Sequence, residues 1–174
     1  MLLRCDIMMS QMEINILFDE GFEDCLDKGW LQGIAEQALA AQCTAPNVEM
    51  GLVIASQERI RQLNRTYLGR DEPTDVLAFS MLPDLPVAGE PEAGTLPFIM
   101  PPDGRLHLGE VIISYPQAVT QAGEHQHSVK REVAILVVHG VLHLLGYEHD
   151  EPERESQMRA REAEILKLVV GGLD

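Results

Sequence analysis

The stretch VHGVLHLLGYEHD, residues Val138–Asp150, decides how the rest of the chain is read. His139 and His143 are four residues apart, so on a helix they lie about 40° apart around the axis and roughly 6 Å along it. Two imidazoles so placed can share one metal ion. Gly146 follows three residues later, where a helix takes its left-handed terminating residue. The chain can then reverse and bring His149 in as a third nitrogen ligand. Three protein ligands and one open position is the pattern of a catalytic zinc site. A lone histidine on an apolar helix is more often a hydrogen-bonded core residue. Two side by side on so apolar a helix, with a third past its terminating glycine, favour the metal.

The spacing H-x3-H-x5-H, with glycine seven residues after the first histidine, is also that of the metzincin proteases, so the helix is zincin-like. Those enzymes carry Glu directly after the first histidine as the general base. Here that position is Gly140, which cannot accept a proton. The metal cage is kept and the protease chemistry is not.

Working outward, 174 residues suffice for one domain with a full core, taken as 1–174. Residues 1–11 read as a poorly ordered leader, because Arg4 and Asp6 interrupt any signal-peptide core. Cys5, Cys25 and Cys43 are odd in number and widely spaced, and they read as free thiols of a reducing cytoplasm. The most apolar stretch, Val133 to Gly146, is too short to span a bilayer, so no membrane partner is expected. A net charge of −15 argues against a broad electrostatic nucleic-acid footprint. Even so, Arg59, Arg61, Arg65 and Arg70 fall in an acid-free run of twelve residues. A solvated helix face explains that run equally well.

Met12 to Phe18 alternates like a strand, Leu26 to Gln42 has helical periodicity, and Val48 to Ala55 is a second strand. Ser56 caps a helix that Gly69 closes, and a third strand runs from Asp75 to Ser80. Residues 81–107 hold six of the ten prolines and read as a long loop. A strand from Leu108 to Ser114 precedes a short helix with Pro116 in its first turn. Ser128 starts the histidine helix, with Ile135, Val138, Leu142 and Leu145 as its apolar face. A last amphipathic helix runs from about Pro152 through Met158, Ile165 and Leu168. The order predicts an α+β domain, with a single mixed sheet of about four strands packed with about five helices. Glu148 and Asp150 read as exposed acids opening the last helix, with orientation of a histidine ligand as the alternative. His107, His125 and His127 fall outside the ligand pattern and read as surface or loop residues.

HGVLHLLGYEHD resembles the signature of the YbeY family of bacterial endoribonucleases, formerly known only as metal-dependent hydrolases. LNRTYLGRDEPTDVLAFS resembles that family's second signature, and LGEVIIS its glycine–acid–strand segment. The resemblance covers most of the chain from about residue 47 onward. It implies a cytoplasmic, zinc-dependent, single-strand-specific endoribonuclease acting in 16S rRNA 3′-end maturation and ribosome quality control. Its partners would be single-stranded RNA and the ribosomal small subunit. His139, His143 and His149 would bind one Zn2+ per chain. Where the family usually has an Arg implicated in activity, this chain has Leu68, which offers a phosphate neither charge nor donors. Arg70, two residues on, and Arg65, one turn back, are the catalytic candidates for the same space. Glu110 replaces the family's common Asp. Zinc can polarise a phosphoryl oxygen and bring water's pKa toward neutrality, or it can stabilise charge while the RNA's own 2′-hydroxyl attacks. Two alternatives remain: a ribosome-assembly factor with weak or absent cleavage, and a zinc hydrolase of another ester or amide.

Overall fold

Ile14 and Ile16 are buried between exposed Glu13, Asn15 and Leu17, and this alternation makes Gln11–Phe18 the first strand, β1. The computed structural model describes residues 11–42, 47–82 and 104–171. Beyond β1 it contains α1 (Lys28–Gln42), β2 (Asn47–Ala55), α2 (Gln57–Leu68), β3 (Val76–Ser80) and β4 (Leu106–Ser114). The helices α3 (Tyr115–Glu124), α4 (Val129–Leu144) and α5 (Pro152–Val169) follow. The strands form one open mixed sheet in the order β1-β2-β4-β3. β1 pairs parallel to β2 and β2 parallel to β4, while β3 closes the far edge antiparallel to β4. Among the described residues this is the expected α+β arrangement of four strands and five helices.

The helix ends follow their capping chemistry. The Asp27 carboxylate accepts the Trp30 N–H at 2.7 Å, so α1 starts at Lys28, two residues after the expected Leu26. The hydroxyls of Ser56, Ser114 and Ser128 accept the N–H of Arg59, Gln117 and Arg131, and each opens its helix as expected. Strand β4 begins earlier than the expected Leu108. Leu106 and His107 pair with Val48 and Glu49 of β2, and the His107 ring faces the Glu49 carboxylate at 2.8 Å. A polar pair across the ladder concealed that start. Of the segment 81–107, residues 83–103 lie outside the described residues, as do Cys5 and Cys43 and the leader up to residue 10. Gln11 itself is strand, paired with Asn47.

Successive residues of a strand point to opposite faces, and the sheet uses both. Leu52, Ile54, Val111 and Ile113 face the main core with α1, α4 and α5. Val53, Ala55, Leu77 and Ile112 form a smaller cluster with Ile60 of α2 on the other face. The expected one-sided apolar face of α4 is a correction. Val133, Ala134, Leu136, Val137, Val138, Val141, Leu142 and Leu144 are all buried, because sheet, α1, α3 and α5 surround the helix. On α5, Met158 and Ile165 are buried, whereas the expected Leu168 is 70% exposed.

Candidate metal centre

Two glycines shape the ground on which the histidines stand. A Cβ on Gly140 would lie 2.4 Å from Val111 Cγ1, so α4 can sit this close to β4 only with glycine there. Gly146, at φ 92°, lets the chain reverse past the end of α4. The reversal is held by the N–H of Gly146 on the His143 carbonyl (3.1 Å) and the N–H of Tyr147 on the Leu142 carbonyl (3.0 Å). Tyr147 then anchors to α1, its hydroxyl donating to Gln42 Oε1 at 3.0 Å. The next turn of chain carries His149 back over the helix.

The three rings gather at one place. His139 and His143 have centroids 4.7 Å apart, His143 and His149 5.1 Å, and His139 and His149 6.0 Å. One nitrogen from each ring lies within 4.8 Å of the other two. Zinc–nitrogen bonds of about 2.0–2.1 Å at tetrahedral angles place donors about 3.3 Å apart. The Nε2 atoms of His139 and His143 are 3.1 Å apart, so the donor set fits such an ion. Burial lowers the His143 pKa to about 4, helped by the neighbouring His139 and His149, and a backbone hydrogen bond with Tyr147 opposes the shift. That ring is therefore neutral at physiological pH, as a ligand must be.

His139 Nδ1 lies 3.3 Å from Glu162 Oε1 on α5. The carboxylate can accept only a proton-bearing nitrogen, which leaves the His139 Nε2 lone pair turned inward. Sequence reading passed over Glu162. Its signal was an acid at i+4 from Met158 and i−3 from Ile165, on the buried stripe of α5. Glu148 and Asp150 are exposed. Glu148 Oε2 is 3.9 Å from His143 Nδ1, beyond hydrogen-bond reach, and Asp150 pairs with Arg154 at 3.1 Å.

The other candidates lie elsewhere. Arg65 and Leu68 on α2 and Arg70 just after it are exposed, and α2 packs through Ile60 on the sheet face opposite α4. Arg59 is bonded to Asp19 and Arg61 to Asp71 (2.9 Å), which commits half of the arginine run to ion pairs. Glu110 is exposed and packs over Gly51. The reading of His107 as a surface or loop residue needs correcting, whereas His125 and His127 do lie in the turn between α3 and α4. His107 belongs to β4, and His125 and His127 converge on the buried carboxylate of Glu132.

Comparison with known proteins identifies the family and the fold. A family model described as Endoribonuclease YbeY matches residues 20–170. A protein of Dehalococcoides mccartyi strain 195 named Endoribonuclease YbeY is 46% identical over 166 residues, covering 95% of each chain. One so named from Roseiflexus sp. RS-1 is 38% identical over 161 residues, covering 92% of this chain and 94% of its own. The solution structure of TM1509 from Thermotoga maritima shares the fold, with a TM-score of 0.57 at 23% identity, covering 91% of this chain and 89% of that one.

Proposed function

The chain belongs to the endoribonuclease YbeY family, and on that premise we propose that it is a zinc-dependent, single-strand-specific endoribonuclease. In this reading it acts in the cytoplasm on the 3′ end of the small-subunit rRNA and in ribosome quality control, with the ribosomal small subunit as partner. Among the described residues no helix is long and apolar enough to cross a membrane. The observation that carries the proposal is the convergence of His139, His143 and His149, with donor nitrogens within 4.8 Å of one another.

Each side chain has a task in this reading. His139, turned by Glu162, and His143, kept neutral by burial, present fixed lone pairs. His149, the exposed member, borders the open side where RNA would approach. A zinc ion held there would supply Lewis acidity at the scissile phosphate. Gly140 offers no base, so the nucleophile, whether water or the RNA's own 2′-hydroxyl, would pass its proton to solvent water. Arg65 and Arg70, exposed on and just after α2, are assigned contacts to RNA phosphates away from the scissile bond, because α2 packs on the sheet face opposite α4.

Incubation of the zinc-loaded protein with single-stranded and duplex RNA, beside His143→Ala, tests this. Cleavage of the single strand by the parent protein alone is the expected result. Equal cleavage by both proteins would overturn the zinc site as the source of activity. Leu68 also favours a second reading, an assembly factor with weak cleavage. A gain of cleavage in Leu68→Arg would show that this position limits the enzyme. Full zinc occupancy with no cleavage in either form would favour the binding role.

A further inference from the structure

The junction of α3 and α4 gathers a second set of metal-competent donors, unrelated to the spacing that drew attention to the first. The end of α3 is tied down by its backbone: the N–H of His125 donates to the Gln121 carbonyl at 2.8 Å, and that of His127 to the Ala122 carbonyl at 3.1 Å. Between them Gln126 has φ 58°, and this turn lets both flanking imidazoles reach the same neighbour. That neighbour is Glu132 in the first turn of α4, a carboxylate only 4% exposed. Its Oε2 lies 3.0 Å from His127 Nε2 and 3.2 Å from His125 Nδ1.

The protons cannot satisfy this arrangement with neutral rings alone. His127 Nδ1 faces the Ser128 carbonyl at 3.2 Å, and a carbonyl can only accept, so Nδ1 carries the hydrogen. The other nitrogen, Nε2, then points an unprotonated lone pair at the carboxylate oxygen. Two acceptors face each other across 3.0 Å unless a cation lies between them. A proton on His127 would serve that contact, and a neutral His125 can donate its Nδ1 hydrogen to the same oxygen. A divalent ion would serve all three donors, which lie within 4.8 Å of one another. The hydrogen bond from Nδ1 to a backbone carbonyl is also the usual support of a metal-bound histidine.

We infer that His125, His127 and Glu132 form a second divalent-cation site, of the nitrogen–oxygen class that takes zinc, cobalt(II) or nickel(II). Glu132 precedes His139 by seven residues, about 10 Å along the helix. Paired catalytic ions stand about 3.5–4 Å apart, so this site does not share a substrate oxygen with the first. Its work is to fasten the end of α3 to the start of the helix that bears His139 and His143. His125 is 58% exposed, which leaves the ion a path from solvent.

The test is metal counting on the full chain. Protein stripped with a chelator is titrated with zinc alone, and bound metal is measured by mass spectrometry and by calorimetry. Two ions per chain are expected in the parent protein and one in the His139→Ala/His143→Ala variant. That remaining ion should weaken by about tenfold or more on adding His127→Ala or Glu132→Gln. His125→Ala removes a donor from a mostly exposed position, so it remains informative where a buried change prevents folding. Cobalt(II) in the His139→Ala/His143→Ala background should show visible bands that His125→Ala diminishes. A single ion in the parent protein, or a second ion bound equally well by His125→Ala, would overturn the site and leave an imidazolium–carboxylate clasp.

Discussion

A histidine group gathers at each end of α4, and the two differ in how they are built. At the C-terminal end of the helix, His139, His143 and His149 converge with nitrogens alone facing inward, and the carboxylate of Glu162 stands behind His139. At its N-terminal end, the carboxylate of Glu132 itself faces two imidazoles. The first group comes from helical periodicity plus one reversal of chain, the second from the meeting of a loop with a helix. A carboxylate behind a histidine orients it and leaves the centre neutral. A carboxylate among the histidines makes the centre anionic and binds a cation by charge. The first arrangement suits chemistry at an open position, and the second suits fastening.

The largest expected break of this contrast is His143→Ala. Removing a nitrogen donor should reduce zinc affinity and RNA cleavage by more than the roughly 10–100-fold typical of outer partners. Zinc titration and cleavage of a single-stranded RNA check it, and retention of both would place the metal elsewhere.

Acid separates the groups next. In metal-free protein His143 has a pKa of about 4, against an ordinary 6.5 in the unfolded chain. Between these values the unfolded chain binds a proton that the folded chain refuses. Stability should therefore fall as pH drops from about 6.5 to about 4, by up to about 3 kcal/mol, and level off below. Urea unfolding across this range checks it when parent and His143→Gln are compared, since titrating groups remote from His143 cancel. An equally steep fall in the variant would remove His143 as the cause.

Glu162→Gln should have a smaller effect. The amide keeps the shape but loses the charge that holds the His139 tautomer. Zinc affinity should drop about 10–100-fold without change in fold. Calorimetry against the parent protein decides it. No change would mean that packing alone orients His139.

The contrast also explains what could be read from the chain. Serine caps, the order of strands and helices, and His139, His143 and His149 follow from local rules of period and capping, and these were legible. Glu162 and the Glu132 group were not, because each needs side chains from two elements brought together by packing. The early start of β4 was hidden for the same reason: His107 is a poor strand signal until Glu49 is placed beside it. The two-sided burial of α4 was likewise invisible to a helical moment, since neighbours on several sides remove the polar face that periodicity looks for. Gly140 was legible only in part. Its lack of a base was plain, but its contact with Val111 depends on how closely helix and sheet approach.

The finest test uses the residue at which the N-terminal group begins. The Ser128 hydroxyl accepts the Arg131 N–H at 3.2 Å and so caps α4, while its carbonyl faces His127 Nδ1 and accepts the Glu132 N–H at 3.1 Å. Ser56 caps α2 with the same geometry, its hydroxyl 3.2 Å from the Arg59 N–H, but no histidine group adjoins it. Ser128→Ala and Ser56→Ala should each cost about 1 kcal/mol in urea unfolding of metal-free protein. Added zinc then distinguishes them. Only Ser128→Ala should weaken the ion bound at Glu132, because loss of the cap frees the carbonyl that orients His127. His139 lies about three turns beyond the cap and should bind its ion as before, since capping effects fade within the first turn. Equal loss of both ions in Ser128→Ala would mean that the two groups respond as one unit, and the division of labour along α4 would fail.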